Sequence, residues 1–233
     1  MQALRNKTVV LCMKGLEMGT GERLSVIAGE LLHPSCTVAV WLGPGHVQEF
    51  YRGIPNCMVI DSENEQVKRR LVQAFSSDLI RFYYGDDLIG NEVGAAAKNV
   101  VGIAAGFLDG VEMSSLKGAL MSRGTREVAR LIRAMGGNEL SAYGLCHLGD
   151  YEATVFSPYS HNRQFGESFI RHQDYHRLAE GYYTVEALMV LSERYQVELP
   201  ICRAVHAILY ENADPREQLT ELLRRGLRAE FDD

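Results

Sequence analysis

The chain has 233 residues, 46% hydrophobic and 23% charged, with a formal net charge of -6 at pH 7. That is enough apolar sequence for one large domain or two small ones, and the acidic balance excludes bulk affinity for nucleic acid or an anionic membrane, which require clustered Lys and Arg. The five cysteines, Cys12, Cys36, Cys57, Cys146 and Cys202, are scattered and form no C-x-x-C pair, so they read as reduced thiols rather than disulfides or zinc ligands.

Residues 1–6 read as the end of a helix. The apolar run 8–13 is closed at once by Lys14, which is not the form of a signal peptide, and a cytoplasmic location is expected. Strand signals, β-branched or aromatic, fall at 8–12, 36–41, 57–60 and 80–84, with helix-periodic stretches at 22–32 and 65–75 between them. This is the rhythm of an open α/β sheet with a parallel core. After Gly85-Asp86-Asp87 the strand signals stop, which places a domain boundary near 85 and gives two units, 1–85 and 86–233. Helices are expected at about 87–109, 115–135, 175–195, 199–210 and 215–225, the last with Asp214 as N-cap and Pro215 at its first position. Gly136-Gly137-Asn138 stops the second of these, 150–162 reads as a polar connection, and 230–233 as a disordered tail. The apolar run 100–108 is far shorter than the roughly 20 residues of a membrane span and is expected to be a buried helix.

Several residues could take part in chemistry. Gly94-Ala95-Ala96-Ala97 strips one stretch of helix of side chains, so that a ligand or another backbone can approach, and Lys98-Asn99 follows. A lysine desolvated there and near a second cation has its pKa lowered and can accept a proton; the same pattern also suits a lysine that snorkels from an amphipathic face. Lys14-Gly15 and Gly43-Pro44-Gly45-His46 each end a strand, the edge of an α/β sheet where anions bind. As a phosphate loop Gly43-x-Gly45 is weak, because Gln48 stands where a third glycine would be and Pro44 has no N–H, and a plain strand-to-helix turn is the alternative. Asp150, four before Thr154 and followed by Ser160-His161-Asn162-Arg163, either faces Lys98 or caps a helix after Gly149. His172 and His176 have the spacing of a metal-binding pair, but no third ligand pattern accompanies them, and no metal is expected.

The ordered motifs Lys14-Gly15-Leu16-Glu17, Gly43-Pro44, Glu92-x-Gly94 to Lys98-Asn99, Asp109-Gly110, Arg123-Gly124, Gly149-Asp150 to Asn162-Arg163-x-Phe165-Gly166, Glu180-Gly181 and 199–211 span nearly the whole chain. Together they resemble bacterial NAD(P)-dependent glycerol-3-phosphate dehydrogenases. The resemblance implies a truncated Rossmann-type α/β sheet over 1–85, followed by an all-α substrate domain over 86–233, similar to the C-terminal domain of 6-phosphogluconate dehydrogenase. It implies NAD or NADP as cofactor, and interconversion of glycerol 3-phosphate and dihydroxyacetone phosphate with Lys98 as general base. Lys14, Gly43, Gly45, Lys98, Asn99, Asp150, Thr154, Ser160, His161 and Asn162 would line the substrate site, and Lys14, Val47, His161, Leu178 and Glu180 would touch the cofactor.

The chain also departs from that pattern. Gly45 stands where the family has Ser or Thr, and His161 where it has arginine, a permanently charged bidentate phosphate ligand. No G-x-G-x-x-G turn occurs, and the family's opening region, about a hundred residues that seat the pyrophosphate, has no counterpart here. The chain reads either as a fragment whose start lies upstream or as one half of a split enzyme, and because a truncated sheet exposes an unpaired edge, self-association, or a partner that supplies the nucleotide-binding half, is expected. The alternative to an active enzyme is an inactive or split module that binds a phosphate ligand or forms oligomers.

Overall fold

A computed structural model describes residues 4–45, 47–224 and 230. Four strands, β1 (Thr8–Leu11), β2 (Thr37–Leu42), β3 (Asn56–Asp61) and β4 (Ile80–Tyr84), form one sheet in the order β1-β2-β3-β4. The pairs β1–β2 and β3–β4 are parallel, but β2–β3 is antiparallel, which corrects the expectation of a parallel core to a mixed sheet. Strand direction is set by how the connections cross, and side-chain composition does not record it.

Alternation along β2 divides the two faces of the sheet. Val38, Val40 and Leu42 join Leu11, Val59 and Ala95 on one side, under α1 (Leu24–Leu31) and the start of α4 (Leu88–Gly110). Ala39 and Trp41 join Ile60, Phe82 and Leu71 on the other, under α3 (Glu65–Phe75), and the Trp41 ring meets the Phe82 ring edge-on at 4.6 Å. A five-residue helix, α2 (Val47–Tyr51), links β2 to β3.

Among the described residues, every regular element after β4 is helical. Helix α4, 23 residues long, is buried from Gly90 to Leu108 and forms the axis of the main core, as expected for 100–108. Around it pack α5 (Lys117–Ala134), α6 (His161–Ile170), α7 (Glu180–Tyr195) and α8 (Pro200–Tyr210), and α9 (Pro215–Arg224) packs on α8. Two buried carboxylates fasten α4 to the sheet side. Glu92 accepts from Arg23 and from the Ser25 amide at 2.8 and 2.9 Å, and Asp61, at the end of β3, accepts from the Asn91 amide at 2.9 Å. Arg23 marks the start of α1 and Asn91 lies in the first turn of α4, so the sheet and the helical part share a joint built from side chains.

Several expected boundaries shift. Leu4 and Arg5 are irregular and Asn6 is a bend with φ 54°, so the helix end expected over 1–6 is absent from 4–6, while 1–3 lie outside the described residues. Helix α7 begins at Glu180 rather than 175. The stretch 150–162 is wound rather than extended: Leu148–Asp150 is a 3-10 turn, Glu152–Phe156 a π-helical turn, and His161 already opens α6. Asp214 caps α9 as expected, accepting from the Glu217 amide at 2.8 Å. The end of that helix expected at 225 and the tail at 231–233 lie outside the described residues, and Glu230 sits in a turn.

Candidate active site

Glycines recur every fourth residue along α4, at Gly90, Gly94, Gly102, Gly106 and Gly110, and the one position of this series that carries a side chain is Lys98. Residues four apart share a helix face, so the series forms a groove with a single projection. Segment 141–170 lies in that groove. A Cβ at Gly94 would sit 3.0 Å from His147 Cβ, one at Gly102 2.7 Å from Thr154 Cγ2, one at Gly106 against the Arg163 carbonyl, and one at Gly110 2.6 Å from Ile170 Cβ. The neighbouring backbone can approach this closely only because those side chains are missing.

Lys98 is 7% exposed, and its Nζ lies 2.9 Å from Asp150 Oδ2 and donates to Thr154 Oγ1 at 2.8 Å. Asp150 is 1% exposed and also accepts from Lys14 Nζ at 2.6 Å on the same oxygen. Lys14 follows the end of β1 and donates in addition to the Gly43 carbonyl, just past the end of the parallel neighbour β2, at 2.8 Å. The alternative for Asp150, a helix N-cap, is thereby set aside: its carboxylate is taken up by two lysines. Burial lowers the Lys98 pKa to about 8, with Asp150 acting to raise it and Lys14 to lower it. An amine in that range can both take up and release a proton near neutral pH.

A ring of amides lies behind this cluster. Asn99 Nδ2 donates to Glu180 Oε2 at 3.0 Å, Asn162 Nδ2 donates to Asn99 Oδ1 at 3.1 Å, and Asn162 Oδ1 accepts from the Gly181 amide at 2.9 Å. A Cβ on Gly181 would meet the Asn99 carbonyl at 2.6 Å, so this glycine brings the start of α7 against α4. Asn162, buried and bonded through both its amide oxygen and its amide nitrogen, is a strut between three helices.

Other residues singled out in the sequence stand apart from the lysine cluster. Ser160 caps α6, accepting from the Arg163 amide at 3.3 Å. The His161 ring is exposed, with Nδ1 2.8 Å from the Tyr175 hydroxyl. Gly45 has φ 137°, a backbone that L side chains rarely adopt, and a Cβ there would strike the Phe50 ring at 2.6 Å. The local backbone therefore explains the glycine where the family pattern has Ser or Thr. Val47 and Leu178 are 78% and 65% exposed. Among the described residues, no three His, Cys, Asp or Glu side chains are gathered as a metal site, and no helix is long and apolar enough to cross a membrane.

Sequence reading misses His147 and Tyr151, both fully buried beside the cluster. His147 Nδ1 lies 2.8 Å from the Gly94 carbonyl and Nε2 2.7 Å from the Tyr151 hydroxyl. The one signal for them is the four-residue glycine spacing, which marks the surface on which the histidine rests.

The sequence pattern described as the NAD-dependent glycerol-3-phosphate dehydrogenase C-terminus matches residues 87–220, and that described as the N-terminus of the same family matches 1–68. A glycerol-3-phosphate dehydrogenase (NAD(P)+) from a Thermotoga species is 35% identical over 226 residues, an alignment covering 94% of this chain and 69% of that protein. One from Fusobacterium nucleatum is 35% identical over 237 residues, covering 97% and 70%. The crystal structure of a glycerol-3-phosphate dehydrogenase from Coxiella burnetii superposes with a TM-score of 0.87 at 30% identity, over 94% of this chain and 69% of that one.

Proposed function

Because this chain belongs to the NAD-dependent glycerol-3-phosphate dehydrogenase family, we propose that it interconverts glycerol 3-phosphate and dihydroxyacetone phosphate with NAD or NADP, Lys98 acting as the proton-transfer residue. The observation that supports the role is a buried ammonium, held by a carboxylate and a hydroxyl, whose pKa lies at about 8. In oxidation the neutral Lys98 amine takes the proton of the secondary hydroxyl, and in reduction the ammonium returns it to the carbonyl oxygen. The nicotinamide, when bound, supplies the acceptor or the donor of hydride.

Asp150 holds Lys98 and Lys14 on one oxygen, so both cations are fixed before substrate arrives. Lys14 supplies positive charge for a phosphate dianion and, across Asp150, favours the neutral form of Lys98. Thr154 orients the amine, Gly43 anchors Lys14 through its carbonyl, and the amides of Asn99 and Asn162 hold the wall formed by α4, α6 and α7. Ser160 and His161 begin α6 at the edge of this site.

The chain's residues fit the nicotinamide end of the cofactor. Val47 and Leu178 are exposed apolar side chains of the kind a flat ring covers, and Glu180 stands at the first position of α7 with its carboxylate already on Asn99. These residues, with Lys14, would hold that end, while the sequence offers no glycine-rich turn for the pyrophosphate. We assign the protein to the cytoplasm, and we propose that it self-associates or captures a partner. Among the described strands β1 pairs only with β2, which leaves one edge of β1 open.

The test is dihydroxyacetone-phosphate-dependent oxidation of NADH and NADPH by the purified chain, with Lys98→Ala as control. Turnover abolished by Lys98→Ala supports the reading. Turnover that survives it removes Lys98 from the chemistry, and an inactive protein that still binds glycerol 3-phosphate favours the binding-module alternative.

A further inference from the structure

His147 and Tyr151 flank Asp150 on a tight turn, His147 three residues before it and Tyr151 one after. The Asp150 amide donates to the His147 carbonyl at 3.0 Å, so the histidine backbone starts the turn that presents the carboxylate. The side chains of the two flanking residues then grip α4 and each other. The Gly94 carbonyl can only accept, so Nδ1 carries the ring proton, and Nε2 is left to accept from the Tyr151 hydroxyl. Gly94 lies one helical turn before Lys98, and α-helical pairing makes its carbonyl the acceptor of the Lys98 amide as well. One backbone oxygen therefore ties the turn that carries Asp150 to the turn that carries Lys98.

We propose that His147, clamped between the Gly94 carbonyl and the Tyr151 hydroxyl, is a positioning residue that sets the distance of Asp150 from Lys98 and so tunes the proton affinity of that lysine. The proposal rests on the reading of Lys98 as the proton-transfer residue, and deepens it. Three observations join here. Both rings are wholly buried, so neither bond is exchanged for water. The absence of a side chain at Gly94 lets His147 lie close against α4, since a Cβ there would stand 3.0 Å from His147 Cβ. Burial, with Lys98 nearby, pushes the His147 pKa down to about 4, so the clamp is neutral and adds no second cation beside the lysine. The charged or titratable groups that act on Lys98 are then Asp150, Lys14 and Glu180, and Asp150 alone is placed by the clamp.

The experiment is an NMR titration of the lysine side-chain carbons in the full chain, with Lys98→Ala assigning the resonance. Asp150 raises the proton affinity of Lys98, so loosening the carboxylate lets the midpoint fall. His147→Leu is expected to lower it by about half a pH unit or more. His147→Asn, whose amide can still donate toward Gly94, should recover part of the shift. Tyr151→Phe, which removes little volume but deletes the hydroxyl that meets His147 and Thr125, should move the midpoint the same way by less. Where activity is measured, kcat should fall more than KM changes. A merely structural role would lower the melting temperature and leave the midpoint in place, and an unmoved midpoint in His147→Leu and Tyr151→Phe overturns the proposal. If His147→Leu does not fold, Tyr151→Phe decides alone, and an unmoved midpoint in that variant overturns the proposal equally. The underlying reading fails separately, through turnover that survives Lys98→Ala, since the titration needs no turnover.

Discussion

Thr154 Oγ1 accepts from Lys98 Nζ at 2.8 Å, and the turn that brings the hydroxyl there, Glu152–Phe156, is the one π-helical segment among the described residues. A π-turn inserts an extra residue and so swings a side chain to a direction that an α-helix would not give it. Thr154→Val keeps the β-branched shape and deletes the acceptor. A hydrogen bond to a charged group contributes about 1.5–3 kcal/mol, so kcat/KM should fall at least about tenfold. Circular dichroism should be unchanged, and wild-type kinetics in that variant would mean that the hydroxyl does not orient the amine.

The Lys98 pKa of about 8 fixes the sign of the pH dependence. Oxidation of glycerol 3-phosphate requires the neutral amine and should rise with pH through about 8, whereas reduction of dihydroxyacetone phosphate requires the ammonium and should fall over the same interval. Asp150→Asn removes the group that raises this pKa, so both midpoints should move to lower pH. Profiles of kcat/KM in both directions check this, and midpoints that stay in place in Asp150→Asn would separate the profile from Lys98.

Much of this arrangement is legible in the sequence, for reasons that differ by element. The strands are short β-branched runs bounded by turns, and α4 is long, apolar and rich in alanine, so period and length suffice for both. Helix α6 escapes because its two buried residues, Asn162 and Gly166, are not hydrophobic: it packs by small size and by hydrogen bonds. The turns over 148–156 follow 3-10 and π geometry, which leaves no 3.6-residue pattern to read. Lys98, Asp150 and Lys14 can be named from their motifs, but their meeting on one carboxylate oxygen depends on how the 3-10 turn lies against α4. His147 escapes because its partner Tyr151, four residues on, is reached across a 3-10 turn rather than along an α-helix, so the pair carries no helical spacing to read.

The glycine groove makes a prediction about stability. A methyl at Gly106 would meet the Arg163 carbonyl and the Glu167 amide, backbone atoms that cannot swing aside, so Gly106→Ala should cost several kcal/mol, about 3 or more, by forcing α6 away from α4. Gly118, in the first turn of α5, has nothing within 4 Å of an added Cβ, and Gly118→Ala should stabilise by up to about 1 kcal/mol through helix propensity. Urea unfolding of the two variants measures both. A mild effect at Gly106 would show that α6 does not press on α4 as closely as the carbonyl position implies.

His147 should also shape the acid limb of stability. Its pKa is about 4 when folded, against 6.5 for an ordinary histidine, because burial disfavours the imidazolium. Between those values the unfolded chain binds a proton that the folded chain does not, so the stabilisation is complete above about 6.5 and is lost as the pH falls toward about 4. The loss amounts to about 3 kcal/mol. In His147→Leu the titrating ring is gone, and the slope of unfolding free energy against pH over that window should flatten toward what the carboxylates alone give. Chemical unfolding at a series of pH values reads this difference. Equal slopes in the two proteins would mean that water reaches the ring, and that His147 is not the sealed, neutral contact between Gly94 and Tyr151 that its burial indicates.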